Sequence, residues 1–332
     1  MLKTAITEMF GVDYPIICGA MMWVCKPPMC AAISNAGGLG NLTAGNYDTE
    51  DDFRNAICET RSLTDKPFMV NVTILPSVRI TGEMHQMYLR VCAEEKVDGI
   101  EVSGAPIDKA CGMEYIDLLK EAGVKLFHKV GSVRHAVHAE KVGYDGVYAA
   151  GIEEGGHPLD DDVTTIVLTP KIVEATGPDF VVVTVGGIGN GVTMAGALTL
   201  GADGVMMGSR FMATQECQVH DNIKQELLKR KEMDTTMICK TLNLQGRALK
   251  NKCVEEILEV EEKGGSFEDL LPLISGQRIS DAWDKGVVDH APMMVGQSIG
   301  FIHDIPTCVD LLQRMSQECE AQLEKAYKII SK

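Results

Sequence analysis

Of the eight histidines in the chain, His157 stands in the setting best suited to proton transfer: Gly151-Ile152-Glu153-Glu154-Gly155-Gly156-His157-Pro158. Two glycines bring backbone close to whatever lies beside the imidazole. A neutral imidazole can take or give a proton near pH 7. A second constellation is Val185-Gly186-Gly187-Ile188-Gly189-Asn190-Gly191, followed by Met207-Gly208-Ser209-Arg210. Glycines let backbone N–H groups approach phosphate oxygens, and a helix that follows adds a favourable dipole. The bland alternative is that these glycines only make tight turns. The spacing is neither G-x-G-x-x-G nor G-x-x-x-x-G-K-[ST], so a dinucleotide fingerprint and a P-loop are disfavoured. Asn71 lies inside the apolar run Val70-Asn71-Val72-Thr73 and, once buried, must bond either a ligand or a neighbouring loop backbone. Lys129 ends another run, where a cation suits a ligand that gains negative charge. His128 beside it is a second, weaker histidine candidate.

Other motifs carry less. Asp160-Asp161-Asp162 has no calcium-loop spacing and reads as the acidic N-terminal cluster of the next helix. Gly296-Gln297-Ser298-Ile299-Gly300 matches G-x-S-x-G, but His303 and Asp304 follow at once, so the match reads as accidental. The 11 cysteines include no C-x-x-C pair and read as reduced, mostly buried thiols.

The elements that must carry these residues are legible as a repeat. Eight short apolar runs have the character of buried parallel strands: 14–20, 39–44, 67–74, 99–105, 125–130, 146–152, 180–187 and 204–212. Helical patterns fall between them at 28–35, 49–61, 83–96, 113–122, 132–142, 165–175 and 192–200. Thr49 is placed as an N-cap, and Gly123, Gly143 and Gly201 stand just past helices, where a left-handed residue re-enters a strand. Alternation of this kind predicts an α/β chain, a (β/α)8 TIM barrel, with the glycine and polar residues at the strand C-termini where a barrel builds its site. After the eighth run the composition turns rich in Lys, Glu and Met. The stretch 216–263 reads as helical, and 305–330 as a long amphipathic helix. The expected organisation is a barrel over 1–214 and 295–332 with a mostly helical insertion at 215–294.

Composition bounds the function. Lys+Arg of 31 against Asp+Glu of 47 gives a net charge of −16, which disfavours nucleic acid and anionic membranes as partners. No apolar stretch approaches the ~20 residues of a membrane helix, and the N-terminus has no secretory core, so a cytoplasmic location is expected. A homo-oligomer is compatible with the sequence.

Taken in order, Pro15-Ile16…Gly19-Ala20-Met21, Ser34-Asn35-Ala36-Gly37-Gly38-Leu39-Gly40, Thr64-Asp65-Lys66-Pro67-Phe68…Asn71, His128-Lys129…Ser132-Val133-Arg134-His135-Ala136, Gly155-Gly156-His157, Gly186-Gly187-Ile188, Leu200-Gly201-Ala202-Asp203-Gly204, Gly208-Ser209-Arg210-Phe211 and Gly296-Gln297 resemble the nitronate monooxygenase (2-nitropropane dioxygenase) family. Members of that family are FMN-dependent TIM barrels, related to flavin-dependent enoyl-acyl-carrier-protein reductases and NAD(P)H:quinone reductases. The resemblance spans nearly the whole chain. It implies that Gly186, Gly187, Gly208 and Ser209 hold the FMN phosphate. Ala20, Met21, Asn71 and Lys129 would line the ring or ribityl chain, with Gly155 and Gly156 beside them and His157 over the flavin as the catalytic residue. Cys18 stands where many relatives carry Gln, Ser209 where they carry Thr, and Ala150 where some carry Asp.

Three functions follow as expectations. The first is an FMN oxidoreductase (a monooxygenase) that oxidises alkyl nitronates with oxygen as acceptor. The second is an NAD(P)H-dependent flavin reductase of quinones or enoyl thioesters. The third is a flavin-binding protein without turnover.

Overall fold

The fold is taken from a computed structural model that describes residues 2–77, 79–158, 162–242 and 244–330. Eight apolar runs form parallel strands: β1 (Ile16–Cys18), β2 (Gly40–Thr43), β3 (Phe68–Ile74), β4 (Gly99–Gly104), β5 (Lys125–Val130), β6 (Gly146–Ala150), β7 (Val181–Val185) and β8 (Gly204–Met207). Each pairs with its sequence neighbour, and β1 pairs with β8. A parallel bridge between Ile17 and Leu39 joins β1 to β2 and closes the ring. The chain is therefore a (β/α)8 TIM barrel, as its alternating pattern predicts.

The helices follow in chain order: α1 (Ala5–Phe10), α2 (Pro27–Asn35), α3 (Glu50–Leu63), α4 (Gly82–Glu94), α5 (Ile107–Ala110), α6 (Met113–Glu121), α7 (Val133–Val142), α8 (Thr165–Ala175), α9 (Gly191–Thr199), α10 (Ser209–Met212), α11 (Asp221–Leu227), α12 (Lys252–Glu262), α13 (Phe267–Ile274), α14 (Gly276–Lys285) and α15 (Cys308–Ile330). Thr49 caps α3 by accepting from the Asp52 amide, and acidic residues fill the first turn of that helix. Gly123, Gly143 and Gly201 all have positive φ just past helices, so the repeated helix-exit device is real. Among the described residues no helix is long and apolar enough to cross a membrane.

Strand periodicity sorts the side chains. Ile17, Leu39, Met69, Phe127, Tyr148, Val183 and Met206 fill the barrel interior in one cluster. Helix α1 closes the N-terminal end with Ile6 and Phe10, whose ring lies 6.1 Å from that of Phe127. The same inward register carries Asn41, Asn71, Glu101 and Lys129 toward the C-terminal mouth. The filled lower half and polar upper half make the mouth the place for chemistry.

Two expectations change. The apolar run 204–212 is not one strand, because β8 stops at Met207 and Ser209–Met212 is a helical turn whose Phe211 and Met212 pack in the outer core. The stretch 216–263 is not purely helical. It contains an antiparallel hairpin of β9 (Thr235–Ile238) and β10 (Gly246–Leu249), with Gly246 opposite Ile238. The β-branched pair Thr235–Thr236 carries that signal, outvoted in the sequence by the charged helical flanks.

Candidate active site

At the mouth, loops from β6, β7 and β8 converge on the segment before α15. The Gly296 amide donates to Ser209 Oγ at 3.0 Å, and the Gln297 amide to the Glu153 carbonyl at 2.9 Å. A Cβ at Gly155 would lie 2.5 Å from the Gly296 nitrogen, so only glycine admits this crossing. Gly186 and Gly187 are consecutive left-handed residues, φ +100° and +73°. No atom lies closer than 3.9 Å to a Cβ placed on Gly187. The amides of Gly187, Gly208 and Ser209 donate to no described residue. A Cβ on Gly208 would sit 3.5 Å from Met21 Sδ, so the Ala20–Met21 turn after β1 flanks the same loop.

His157 is held by the insertion. Gly156 and Arg247 exchange backbone hydrogen bonds of 3.2 and 2.7 Å, joining the β6 loop to β10. Beyond that bridge, His157 Nδ1 lies 3.0 Å from the Gln245 carbonyl. A carbonyl only accepts, so Nδ1 carries the proton and Nε2 presents its lone pair. Packing against the ring lowers the His157 pKa below its usual value, and the Lys129 charge adds to this. The residue as a whole is exposed, so this desolvation is weak. Arg247 braces the arrangement by donating from Nε to the Ile152 carbonyl at 2.9 Å and from Nη1 to Thr235 Oγ1 at 3.1 Å.

Beneath these loops lies a buried polar network. Lys129 Nζ donates to Glu154 Oε1 at 3.0 Å and to the His157 carbonyl at 3.3 Å. Glu101 lies nearby, with Ser103 Oγ at 2.9 Å and the Asn41 amide on its other oxygen. Burial raises the pKa of both glutamates, with Lys129 opposing. Asn71 Oδ1 accepts from Thr73 Oγ1 at 2.9 Å, and its amide reaches the Glu101 carbonyl at 3.5 Å, so its partners are strand neighbours. Asn41 Oδ1 and Thr43 Oγ1 are buried with no hydrogen-bond partner among the described residues.

The structure thus brings His157 and the candidate cofactor-binding residues to one end of the barrel. His128 is the exception among the histidines considered. Its register points it outward, where it stacks on Tyr144 at 5.5 Å and bonds the Gly104 carbonyl at 3.0 Å. Burial drops its pKa to about 4. Ser298 follows no strand and lies in a 3-10 turn, which supports the accidental reading of G-x-S-x-G. Asp160 and Asp161 lie outside the described residues; the α8 amide of Thr165 is bonded by the Glu153 carboxylate. The sequence reading passed over Asn41, Glu101, Glu154 and Gln245. The first two carry the same signal as Asn71, a polar residue in an apolar strand.

The family model described as nitronate monooxygenase matches residues 3–318. The chain belongs to the nitronate monooxygenase family. It is an enzyme, an oxidoreductase of a flavin-dependent family. The chain is 32% identical to the (3aS,4S,5R,7aS)-5-hydroxy-7a-methyl-1-oxo-octahydro-1H-indene-4-carboxyl-CoA dehydrogenase of Rhodococcus jostii (strain RHA1), over 94% of each. It is 28% identical to a probable nitronate monooxygenase of Staphylococcus aureus (strain JH9), over 78% of this chain and 81% of that one. FabK from Thermotoga maritima superposes with a TM-score of 0.89 at 33% identity, covering 99% of this chain and 100% of that one.

Proposed function

We propose that the chain is an FMN-dependent oxidoreductase that works at a carbon next to an electron-withdrawing group, with an acyl thioester as its substrate class. The observation that carries this is the His157 tautomer. Its ring bonds the Gln245 carbonyl through Nδ1, with the Leu244 backbone also bonding the imidazole, and Nε2 is the nitrogen assigned to take or return a proton at such a carbon.

The mouth fits FMN on its own chemistry. The unpaired amides of Gly187, Gly208 and Ser209, with the open face of Gly187, suit a phosphate. The orphaned oxygens of Asn41 and Thr43 and the inward Lys129, Asn71, Ala20 and Met21 suit a polar ring system. Gly155 and Gly156 bring the covering loop close. When bound, the flavin supplies the electron or hydride transfer. The chain's own residues orient the substrate, hold a proton at His157 Nε2 and place the Lys129 ammonium where negative charge develops. The stretch 215–294 acts as a cap through its β10 bridge to Gly156, and NADH or NADPH serves as donor.

The thioester reading is preferred because the Rhodococcus relative, named for a CoA ester, is matched over 94% of this chain. Nitronate oxidation is the second reading, favoured by the family description and the Staphylococcus relative. An acyl thioester and the neutral nitroalkane from which a nitronate derives both have an acidic C–H that suits the same imidazole. An anaerobic titration of the purified yellow protein with NADH, NADPH, an enoyl-CoA and a nitronate in turn separates them. Bleaching by a nicotinamide and reoxidation by the enoyl-CoA support the first reading. Bleaching by the nitronate alone supports the second, and a colourless protein that refuses FMN overturns both.

A further inference from the structure

The mouth encloses three ionisable side chains whose charges do not balance. Glu101 is 2% exposed, Glu154 is 5% exposed, and the Lys129 side chain is 17% exposed. Fully ionised, two carboxylates and one ammonium leave a net negative charge out of water, which is costly. The geometry distinguishes the two acids. Glu154 touches Lys129 directly at 3.0 Å. Glu101 makes no ion pair among the described residues. The groups that bond its oxygens are neutral: Ser103 Oγ and the side-chain amides of Asn41 and Asn71. The charged or titratable groups that face it are Lys129 from β5, Tyr148 from β6 and Glu154 from the loop beyond. Tyr148 offers it no proton, because its hydroxyl donates to Met69 Sδ at 3.0 Å. The carboxyl without a cation is the one that gains by taking up a proton.

We propose that Glu101 is a neutral carboxylic acid at neutral pH, so that the trio Glu101, Lys129 and Glu154 carries no net charge. The seat above it then accepts one further negative charge, from a ligand or a reacting group, without facing a second buried anion. Glu101 is a positioning residue in this scheme: it acts through the field at Lys129 and exchanges no proton with substrate. Burial also pushes its pKa upward, in the same sense.

The proposal concerns the same mouth as the flavin reading but needs no flavin. Infrared spectra of the purified protein, labelled with carboxyl-13C glutamate, test it directly. At pH 7 the wild-type protein is expected to show the carbonyl stretch of a protonated carboxyl group, shifted by the label. That band disappears in E101Q. Its absence from the wild type, or its survival in E101Q, overturns the assignment. If E101Q does not accumulate, E101D decides: the acid at 101 then carries no label, so the labelled band is expected to vanish, and a labelled band that survives there places the proton elsewhere and overturns the assignment. Unfolding measured against pH gives an independent reading. A folded pKa raised above the unfolded one contributes stability at low pH that is lost as pH rises through the folded value. The wild type is therefore expected to lose more stability than E101Q between pH 5 and 8, and equal slopes count against the proposal. A failure here leaves the flavin assignment untouched, and a colourless protein leaves this one untouched.

Discussion

At the scale of single residues, the site depends on hydrogen bonds that choose one form of a group. The Gln245 carbonyl selects the Nδ1–H tautomer of His157, and Nε2 is then a base without further arrangement. His157→Gln is expected to retain flavin and lower turnover by about 100-fold or more, the usual contribution of a positioned proton carrier. Steady-state kinetics beside the flavin absorbance decide this. The base is active above its pKa, and that pKa lies below the ordinary 6.5. The acid limb of a base-dependent rate should therefore fall below pH 6.5; a limb above it means that another group is the base. Gly187→Asp places a carboxylate where a phosphate is proposed and forces a side chain onto φ +73°. The expected product is a colourless protein, and a fully yellow one contradicts the phosphate seat.

At the scale of elements, β10 matters more to the site than its four residues suggest. It extends the β6 loop by one antiparallel bridge and so fixes the backbone that carries His157. Arg247 is 7% exposed and ties β10 to the Ile152 carbonyl and to Thr235. Arg247→Met keeps the apolar stem and loses both bonds. Bonds to a charged donor are each worth about 1.5–3 kcal/mol. Stability should fall by about 2–3 kcal/mol, and turnover should fall more than flavin content. Chemical denaturation with parallel activity assays checks this. Unchanged turnover in a destabilised protein separates β10 from the chemistry.

Across the whole molecule, the last helix is fastened to the loop after β8. Arg210 is 1% exposed, and its guanidinium meets the Asp304 carboxylate at 2.8 Å and the Asp304 carbonyl at 3.2 Å. Arg314 on α15 also bonds Asp304, so one acid joins α10 to α15. Asp304→Asn leaves a buried guanidinium with only carbonyl and amide partners. A loss of about 2–3 kcal/mol is expected, below the full penalty for an unpaired buried charge because the carbonyl bond survives. Hydrogen bonds from Arg314, ahead of the Arg210 charge, hold the Asp304 pKa below the ordinary 3.8. That contribution is present above the unfolded value and is lost as pH falls through the folded one. The difference between wild type and D304N should therefore close below about pH 4. Unfolding curves at pH 7 and pH 3 test it, and a gap unchanged at pH 3 removes the ion pair from the explanation.

The sequence by itself determined the strand and helix alternation, the glycine exits at 123, 143 and 201, and the identity of the loops that carry the site. These are local matters: period two against period 3.6, and a left-handed residue where a helix must end. It also marked Asn71, because a polar residue in an apolar strand is visible without a fold. Asn41 and Glu101 sent the same signal and were passed over, since their importance lies in meeting each other across two intervening strand gaps. Only the tertiary structure decided which way His128 and Lys129 face, adjacent residues with opposite fates once barrel closure fixed the register. It alone brought Gln245 to His157, 88 positions away in the chain. Contacts of that range are set by packing of whole elements, and no local pattern of residue types encodes them.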